Sequence, residues 1–273
     1  MTKVKSQLEY FQDLMALRES LPSGKTWRIA VASGKGGVGK TNFSLNLAMV
    51  IADHAKVLLL DGDPGLADLH LMMGVSPKRH WGHYLDGEVD FDGLLMKDVF
   101  GLDFIHGFSG IPSMNWIQSG AMERIISELH GPKGSVYDAQ IIDVGAGLSE
   151  STIALTTTVD QVVLILTPEL TSLADAYSTL KTIKKYNPAQ EVVVVVNQAE
   201  KEQEAIHTHA QLCRVSEQFL GIRPAFCGFL PKDPNIPKAL MQQKPIKKAY
   251  PQSPYVQNLQ GVLINLRRQK DLS

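Results

Sequence analysis

A glycine-rich segment of eight residues constrains the fold of this chain more than any other part of the sequence. The segment, called the phosphate loop below, reads Gly34-Lys35-Gly36-Gly37-Val38-Gly39-Lys40-Thr41. An apolar run at 28–33 precedes it and predicts a short buried strand, and residues 42–52 follow with apolar side chains at helical spacing. Strand, loop and helix in this order are the context in which such a loop binds nucleotide phosphates, whereas a glycine-rich turn without function would acquire this context only by accident.

The residue types of the phosphate loop suit the chemistry of phosphate binding. Its glycines let successive backbone N–H groups point at phosphate oxygens, and the helix that follows adds the positive end of its dipole. Lys40 supplies a positive charge for the β- and γ-phosphates, and Thr41 offers a hydroxyl to Mg²⁺. The residues predicted to bind phosphates are Gly34, Lys35, Gly36, Gly37, Val38, Gly39, Lys40, Thr41 and Asn42.

Two further apolar runs end in acidic residues. Residues 56–60 lead to Asp61 and Asp63, and residues 140–142 lead to Asp143. Ligands of open α/β sheets bind at the carboxyl ends of the strands, where carboxylates can hold Mg²⁺ through water and position an attacking water. We therefore predict a magnesium site formed by Thr41, Asp61 and Asp143, although Asp61 and Asp63 could instead form an exposed Asp- and Gly-rich turn.

The residues after Asp143 predict a segment that senses the γ-phosphate. Gly145, Ala146 and Gly147 follow directly. The two glycines would let the backbone approach the γ-phosphate and change conformation when that phosphate leaves.

Lys35 carries a resemblance to a known family. The run Lys-Gly-Gly-Val-Gly-Lys-Thr resembles the deviant phosphate loop of the MinD/ParA family of ATPases. The resemblance implies that ATP and Mg²⁺ are the cofactors and that ATP is hydrolysed slowly to ADP and phosphate in an ATP-stabilised homodimer. It also implies that Lys35 reaches the partner's phosphates across the dimer, that Lys40 acts on the phosphates bound by its own loop, and that Asp63 positions the attacking water. The alternative for Lys35 is a solvated loop residue.

Three segments resemble one branch of this family, the flagellar-number regulators FlhG and FleN. They are Asp-x-Asp-x-Gly-Leu-Ala at 61–67, Asp-x-Gly-Ala-Gly-Leu-Ser at 143–149, and Thr-Pro-Glu-x-Thr-Ser-x-x-Asp-Ala-Tyr at 167–177. The resemblance runs from about residue 28 to about 266 and implies control of flagellar number or placement. The partners it implies are the flagellar GTPase FlhF and a flagellar transcription activator or basal-body component. The chain departs from the usual pattern at His70 and Val144, and at the N-terminus only Leu17-Arg18 matches the branch's GTPase-activating motif.

The same resemblance implies a base-binding side. Asn197 follows the apolar strand predicted at 191–196 and, in the family, the asparagine at this strand end reads the adenine edge, for which an amide supplies a donor and an acceptor. Pro231 and Asp233 would lie near the base or ribose. A capping or turn role for Asn197 is the alternative.

The overall pattern predicts a single α/β domain at 25–250, a doubly wound, mainly parallel sheet with helices on both faces. The formal net charge of −1 gives no support to nucleic acid as the main ligand. Two cysteines are too few for a disulfide framework, and neither a secretory signal nor a bilayer-spanning run is recognisable. We therefore expect the protein in the cytoplasm, with peripheral attachment to the inner face of the cell membrane left open.

Both termini predict amphipathic helices. In the extension at 1–24, Val4, Leu8, Phe11 and Met15 share one helical face, which either docks on the sheet or binds a partner. The segment at 251–273 either packs on the body or lies on anionic lipid as a reversible membrane contact. Its apolar face consists of Tyr255, Val256, Leu259, Val262, Leu263 and Leu266.

Other functions remain open at this point. A MinD/ParA-type ATPase could position the division site, DNA or another polar cargo instead of flagella. An iron–sulfur carrier of the same superfamily would need a closely spaced cysteine pair, which the sequence lacks. A non-catalytic interaction protein would lack Lys35, Asp63 or Asp143, and all three are present.

Overall fold

The protein is described here by a computed structural model that covers residues 7–20, 25–63, 68–107 and 120–272. Eight strands within these residues form one sheet. The strands are β1 (Trp27–Ala32), β2 (Val57–Gly62), β3 (Leu95–Val99), β4 (Leu102–Ile105), β5 (Ala139–Val144), β6 (Gln161–Leu166), β7 (Glu191–Ala199) and β8 (Ala225–Pro231). Their spatial order is β3-β4-β2-β5-β1-β6-β7-β8, and every neighbouring pair is parallel except β3 with β4. The predicted mainly parallel α/β sheet is confirmed.

Helices cover both faces of this sheet. The helices are α1 (Gln7–Ser20), α2 (Lys40–Ala52), α3 (Leu69–Met73), α4 (Trp81–Leu85), α5 (Phe91–Leu94), α6 (Ala121–His130), α7 (Glu150–Thr157), α8 (Leu170–Tyr186), α9 (Glu202–Leu220), α10 (Asn235–Met241), α11 (Ile246–Ala249) and α12 (Pro254–Lys270), with a 3₁₀ turn at Gly134–Val136. Side chains alternate along each strand, so Ala30 and Ala32 of β1 enter one core while Ile29 and Val31 enter the other. Burial on both faces explains why the central strands read as continuous apolar runs.

The edge strand β3 was not predicted from the sequence. It pairs antiparallel with β4, and Asp98 near its end and Phe100 in the connection to β4 have φ angles of 56° and 55°. Lys97 and Asp98 are exposed and the pairing shifts register along the strand, so the sequence lacks the apolar pattern of the central strands. Polar edge strands of this kind resist further pairing but are hard to recognise locally.

The N-terminal helix docks on the body of the protein. Tyr10, Phe11 and Leu14 are buried, and the ring of Phe11 meets that of Tyr186 edge-on at 4.7 Å between centroids. Of the predicted face, Phe11 is buried, Leu8 is 45% exposed, and Val4 lies outside the described residues. The buried stripe is therefore rotated from the predicted one, and the helix packs against α6, α7 and α8.

The C-terminal helix α12 corrects the prediction of a membrane face. The predicted face is fully enclosed by β8 and α2, with exposures of 8% or less for Tyr255, Val256, Leu259, Val262, Leu263 and Leu266. Gly228 permits this packing, because a Cβ there would lie 3.0 Å from Cγ2 of Val262. These side chains belong to the core and are not available to lipid. No helix within the described residues has the length and apolar content required to cross a membrane.

Candidate nucleotide-binding site

The phosphate loop connects β1 to α2 and depends on glycine at two kinds of position. Gly37 and Gly39 have φ angles of 80° and 87°, a region that side chains with a Cβ rarely adopt. Gly34 is required for another reason: a Cβ there would lie 2.2 Å from the backbone carbonyl carbon of Asp175 in α8. The loop is thus shaped by its own backbone and by the helix packed against it.

The predicted magnesium residues lie at the carboxyl ends of adjacent strands. Asp61 of β2 and Asp143 of β5 are paired residues in the sheet, and both side chains are buried. Lys40 Nζ lies 3.1 Å from Asp143 Oδ1, and Ser44 Oγ donates to the same oxygen at 2.7 Å. Thr41 is half-buried at the start of α2. The structure therefore brings the loop lysine, the hydroxyl and both carboxylates to one edge of the sheet.

Burial changes the acidity of Asp61. Its pKa is raised to about 8, first by loss of hydration and then by the neighbouring Asp143. The backbone N–H groups of Asp63 and Leu69 donate to its two oxygens, each at 3.3 Å, and oppose the shift together with the charge of Lys40. A cation arriving at this edge would favour the ionised carboxylate.

These residues fit a magnesium ion that is completed by phosphate oxygens and water. The described residues contain no group of three or more His, Cys, Asp or Glu side chains arranged to hold a metal by themselves. Mg²⁺ sites in nucleotide-binding proteins use one or two protein oxygens together with phosphates and water. Thr41, Asp61 and Asp143 supply that type of donor set.

Asp63 lies just beyond the metal residues. It is half-buried, and its backbone N–H donates to Asp61. Residues 64–67, which complete the first of the three resembling segments, lie outside the described residues.

Lys35 is held by its own chain. Its Nζ forms an ion pair with Glu169 and donates to Thr171 Oγ1 at 3.0 Å, both at the start of α8. The hydrogen bond and charge of Lys35 lower the pKa of Glu169. The motif that contains Glu169 and Thr171 is visible in the sequence but does not predict their contact with Lys35, because the two segments are more than 130 residues apart.

The predicted γ-phosphate segment connects β5 to α7. Gly147 has a φ of 85° and its N–H donates to Ser33 O at 3.1 Å, which ties the segment to the end of β1. Thr152 Oγ1 donates to Gly145 O at 3.2 Å, and Ser149 caps α7. Ala146 is exposed between them. The segment thus lies beside the phosphate loop and opens the helix that follows.

A cavity of about 480 Å³ adjoins the phosphate loop on the other side. It brings the predicted base-side residues Asn197, Pro231 and Asp233 together with Gly39 and Asn42 of the predicted phosphate-binding set. The rest of the lining, which the sequence did not predict, is Gln198, Lys232, Pro234, Ile236 and Pro237. A proline-rich segment after a strand end is the signal that would have suggested them.

The polar side chains at this cavity already have partners in the protein. Asn197 Nδ2 donates to Val38 O at 2.7 Å, and its Oδ1 accepts from the N–H of Gln198 at 2.9 Å. Gln198 Nε2 in turn donates to Gly37 O at 3.1 Å. Asp233 accepts from the N–H groups of Asn235 and Tyr255 at 2.8 and 3.3 Å. Within the described residues, the Asn197 amide nitrogen donates to Val38 O alone, and adenine reading by this residue stays a prediction.

Comparison with known proteins identifies the family. The family model described as the CobQ/CobB/MinD/ParA nucleotide binding domain matches residues 29–246. The chain belongs to this family. Its phosphate loop, its acidic strand ends and its base-side cavity all lie within the matched residues.

Among relatives of this MinD/ParA protein are two with flagellar names. The antiactivator FleN of Pseudomonas aeruginosa is 31% identical over 229 residues, which cover 82% of this chain and 80% of FleN. The flagellum site-determining protein YlxH of Helicobacter pylori is 29% identical over 242 residues, which cover 88% of this chain and 81% of YlxH. The predicted relationship to the MinD/ParA family and its flagellar branch is confirmed.

Solved structures of the family have the same fold. The cell division ATPase MinD of Pyrococcus furiosus aligns with a TM-score of 0.71 at 22% identity, over 89% of this chain and 99% of that one. The septum site-determining protein MinD of Pyrococcus horikoshii, solved with Mg-ADP, aligns with a TM-score of 0.68 at 23% identity, over 87% of this chain and 94% of that one. These likenesses concern the architecture alone.

Proposed function

We propose that this chain is a MinD-type switch that hydrolyses ATP slowly with Mg²⁺, dimerises in the ATP-bound state, and controls the number or placement of flagella. The observation that carries this proposal is the position of Lys35. A phosphate loop uses one lysine for its own nucleotide, and Lys40 fills that role from a buried position. Lys35 lies at the rim with 29% of its side chain exposed, where a second molecule can approach it.

Nucleotide binding would begin with an exchange of partners at Lys40. Its Nζ leaves Asp143 Oδ1 for the β- and γ-phosphate oxygens, while the N–H groups of the loop surround the phosphates. Asn197 and Gln198 hold the carbonyls of Val38 and Gly37 and keep the loop open. The adjoining cavity has room for the base and ribose.

Hydrolysis needs charge stabilisation at the phosphates and an oriented water. A bound Mg²⁺ would supply the first by neutralising phosphate oxygens, and Thr41, Asp61 and Asp143 would hold it. The positive charge would favour the ionised form of Asp61. Asp63 orients the attacking water for in-line displacement, and the segment 145–147 moves when the γ-phosphate leaves.

Dimer formation requires Lys35 to change partners. Its Nζ must leave Glu169 and Thr171 before it can reach the phosphates of a second subunit. There it would stabilise the charge that develops in the transition state, as an arginine finger does. On dimerisation, Lys35 therefore gives up its ion pair with Glu169 of the same chain and contacts the phosphates bound by the second subunit.

The flagellar role is supported by the relatives named above, an antiactivator and a flagellum site-determining protein. The proposed partners are the flagellar GTPase FlhF and a flagellar transcription activator or basal-body component. A second candidate function is the positioning of another cargo, because septum site-determining MinD proteins are also among the relatives by sequence.

The switch is tested by light-scattering mass in Mg-ATP and in Mg-ADP. We expect the wild type to be a dimer in ATP and a monomer in ADP, and Asp63→Ala to remain a dimer in ATP. Lys35→Ala should still bind nucleotide, measured with a fluorescent ATP analogue, yet stay monomeric. Lys25→Ala, an exposed lysine outside the loop, is the matched control and should behave as wild type.

An ATP-bound wild type that stays monomeric under all conditions would remove Lys35 from the mechanism and refute the switch. The cellular role has a separate test, which is to count flagella by electron microscopy after deletion of the gene. An altered number or position supports the flagellar role, whereas normal flagella with misplaced division sites or other cargo would favour the second candidate.

A further inference from the structure

A buried asparagine of helix α2, Asn46, has no part in the proposed mechanism. It is fully enclosed, and both ends of its amide are hydrogen-bonded. Its side-chain nitrogen donates to Asn42 O at 2.7 Å and to Asn42 Oδ1 at 3.1 Å, and its side-chain oxygen accepts from the backbone N–H of Lys247 at 3.0 Å. Such an amide is fixed in one orientation, because turning it over would place donor against donor and acceptor against acceptor.

The orientation of Asn46 determines that of Asn42, one turn earlier in α2. The N–H of Lys247 can only donate, so the oxygen of Asn46 faces it and the nitrogen of Asn46 faces Asn42. Asn42 therefore turns its own oxygen toward Asn46, which leaves its nitrogen on the other side of the amide. Burial raises the pKa of the Tyr255 hydroxyl in α12, and a hydrogen bond with Asn42 opposes that shift. Asn42 is thus held between two buried side chains before a ligand arrives.

Asn42, one of the residues predicted to bind phosphates, lines the base-side cavity. The lining of this cavity combines Asn42 with residues of the segment 231–237. Ligand pockets in proteins fix the orientation of their ligand with a few placed polar groups. A group that is already held in its bound orientation loses little conformational freedom on binding. The Asn42 amide has both properties, which makes its nitrogen a candidate donor to a ligand in the cavity.

Asn46 also connects α2 to the part of the chain that follows the cavity lining. Lys247 lies in the first turn of α11, where a backbone N–H has no partner within its own helix, and Asn46 supplies that partner. The Lys247 side chain adds further links to α2, because its Nζ donates to Met49 O at 3.0 Å and pairs with Asp53. One buried side chain is therefore bonded both to Asn42 and to the chain that continues from the segment 231–237.

We propose that Asn46 is a positioning residue for nucleotide binding, which orients the Asn42 amide to donate to the nucleoside and holds the segment 231–250 against α2. This inference rests on the nucleotide binding that belongs to the proposed function, and it assigns a further donor to the base side of the site. Asn46 itself does not touch the ligand. Its loss should weaken the contacts to the nucleoside and leave those to the phosphates unchanged, because Lys40 and the loop backbone do not depend on it.

The test is calorimetric titration of the full chain with Mg-ADP and with Mg-pyrophosphate, which has phosphates but no nucleoside. ADP is used so that neither dimerisation nor hydrolysis enters the measurement. We expect Asn46→Ala and Asn42→Ala each to bind ADP about fivefold more weakly, as one lost hydrogen bond implies, and to bind pyrophosphate as the wild type does. The double variant should lose less than the product of the two single losses, because Asn46 acts in part through Asn42. Asn187→Ala is the matched control and should bind both ligands normally.

A second pair of variants isolates the bond between Asn46 and α11, and it tests the proposal even where Asn46→Ala fails to fold. Lys247→Pro and Lys247→Ala both remove the Nζ contacts with α2, but only the proline removes the N–H that donates to Asn46. Proline is tolerated in the first turn of a helix. We expect Lys247→Pro to bind ADP about fivefold more weakly than Lys247→Ala, with equal affinity for pyrophosphate.

Three results would overturn the proposal. They are an equal loss of ADP and pyrophosphate affinity in Asn46→Ala, the same equal loss in Asn42→Ala, and equal ADP affinity in the two Lys247 variants. The second of these would assign Asn42 to the phosphates. A wild type that binds neither ligand would refute the proposed function as well, whereas a wild type that binds ADP but never dimerises in ATP would refute the switch alone.

Discussion

The two halves of the nucleotide site use their polar groups in different ways. On the phosphate side, Lys40 and Asp143 neutralise each other in a buried ion pair, and Asp61 is next to them with a raised pKa. On the base side, Asn197 and Asp233 hold backbone groups of their own chain. The phosphate side therefore has to exchange partners when a ligand binds, whereas the base side is already shaped and keeps its partners.

The largest expected effect on nucleotide affinity comes from removing Lys40, whose charge would move from Asp143 to the phosphates on binding. Lys40→Ala deletes the cation that would hold the phosphates and, among the described residues, leaves buried Asp143 with Ser44 as its side-chain donor. In the nucleotide-bound state the charge pair that is lost is the one between Lys40 and the phosphates. Truncating one partner of such a pair costs about 2 to 5 kcal/mol, so we expect nucleotide affinity to fall by at least about thirtyfold. Titration with a fluorescent ATP analogue measures this, with Lys25→Ala as the control. An affinity unchanged in Lys40→Ala would mean that the loop backbone alone binds the phosphates.

An intermediate effect is expected from pH on the protein without nucleotide. Because the folded-state pKa of Asp61 is about 8, above the value of about 4 for an unfolded aspartate, the folded protein holds a proton that the unfolded chain has lost. This contribution to stability is present at low pH and is lost as pH rises from about 4 to about 8, by at most about 1.4 kcal/mol per pH unit.

Asp61→Asn isolates that contribution. Denaturant unfolding between pH 5 and 8 should show wild type losing stability relative to Asp61→Asn as pH rises. If the free energy of unfolding changed with pH in the same way for both proteins, Asp61 would be ionised throughout this range. Folding stability would then not depend on proton binding at Asp61.

The smallest effect is expected on the base side. Asn197→Ala removes the hydrogen bond to Val38 O and should raise the dissociation constant for nucleotide about five- to tenfold, as one lost hydrogen bond of about 1 kcal/mol implies. Asn187→Ala is the matched control, because Asn187 Nδ2 donates to Thr157 O away from the site. If Asn197→Ala weakened binding as much as Lys40→Ala, the base side would also contribute directly to ligand contacts.

Much of the fold followed from local patterns. The apolar runs at β1, β2, β5 and β7 predicted buried strands, and the acidic or amide residues that follow β2, β5 and β7 predicted where the site lies. That inference worked because parallel strands bring all their carboxyl ends to one edge, so a residue's place at the end of a strand specifies its place in the molecule. The polar edge strand β3 gave no such signal.

By itself the sequence determined the phosphate loop, the acidic strand ends and the parallel sheet, since these depend on residue type, short spacings and strand direction. Only the tertiary structure decided which faces of α1 and α12 are covered, that Lys35 pairs with Glu169, and that Asn197 supports the loop. An amphipathic pattern shows that a helix has an apolar face but not what covers it, and a lysine's charge does not select its partner. Those choices depend on contacts between segments far apart in the chain, which no local pattern records.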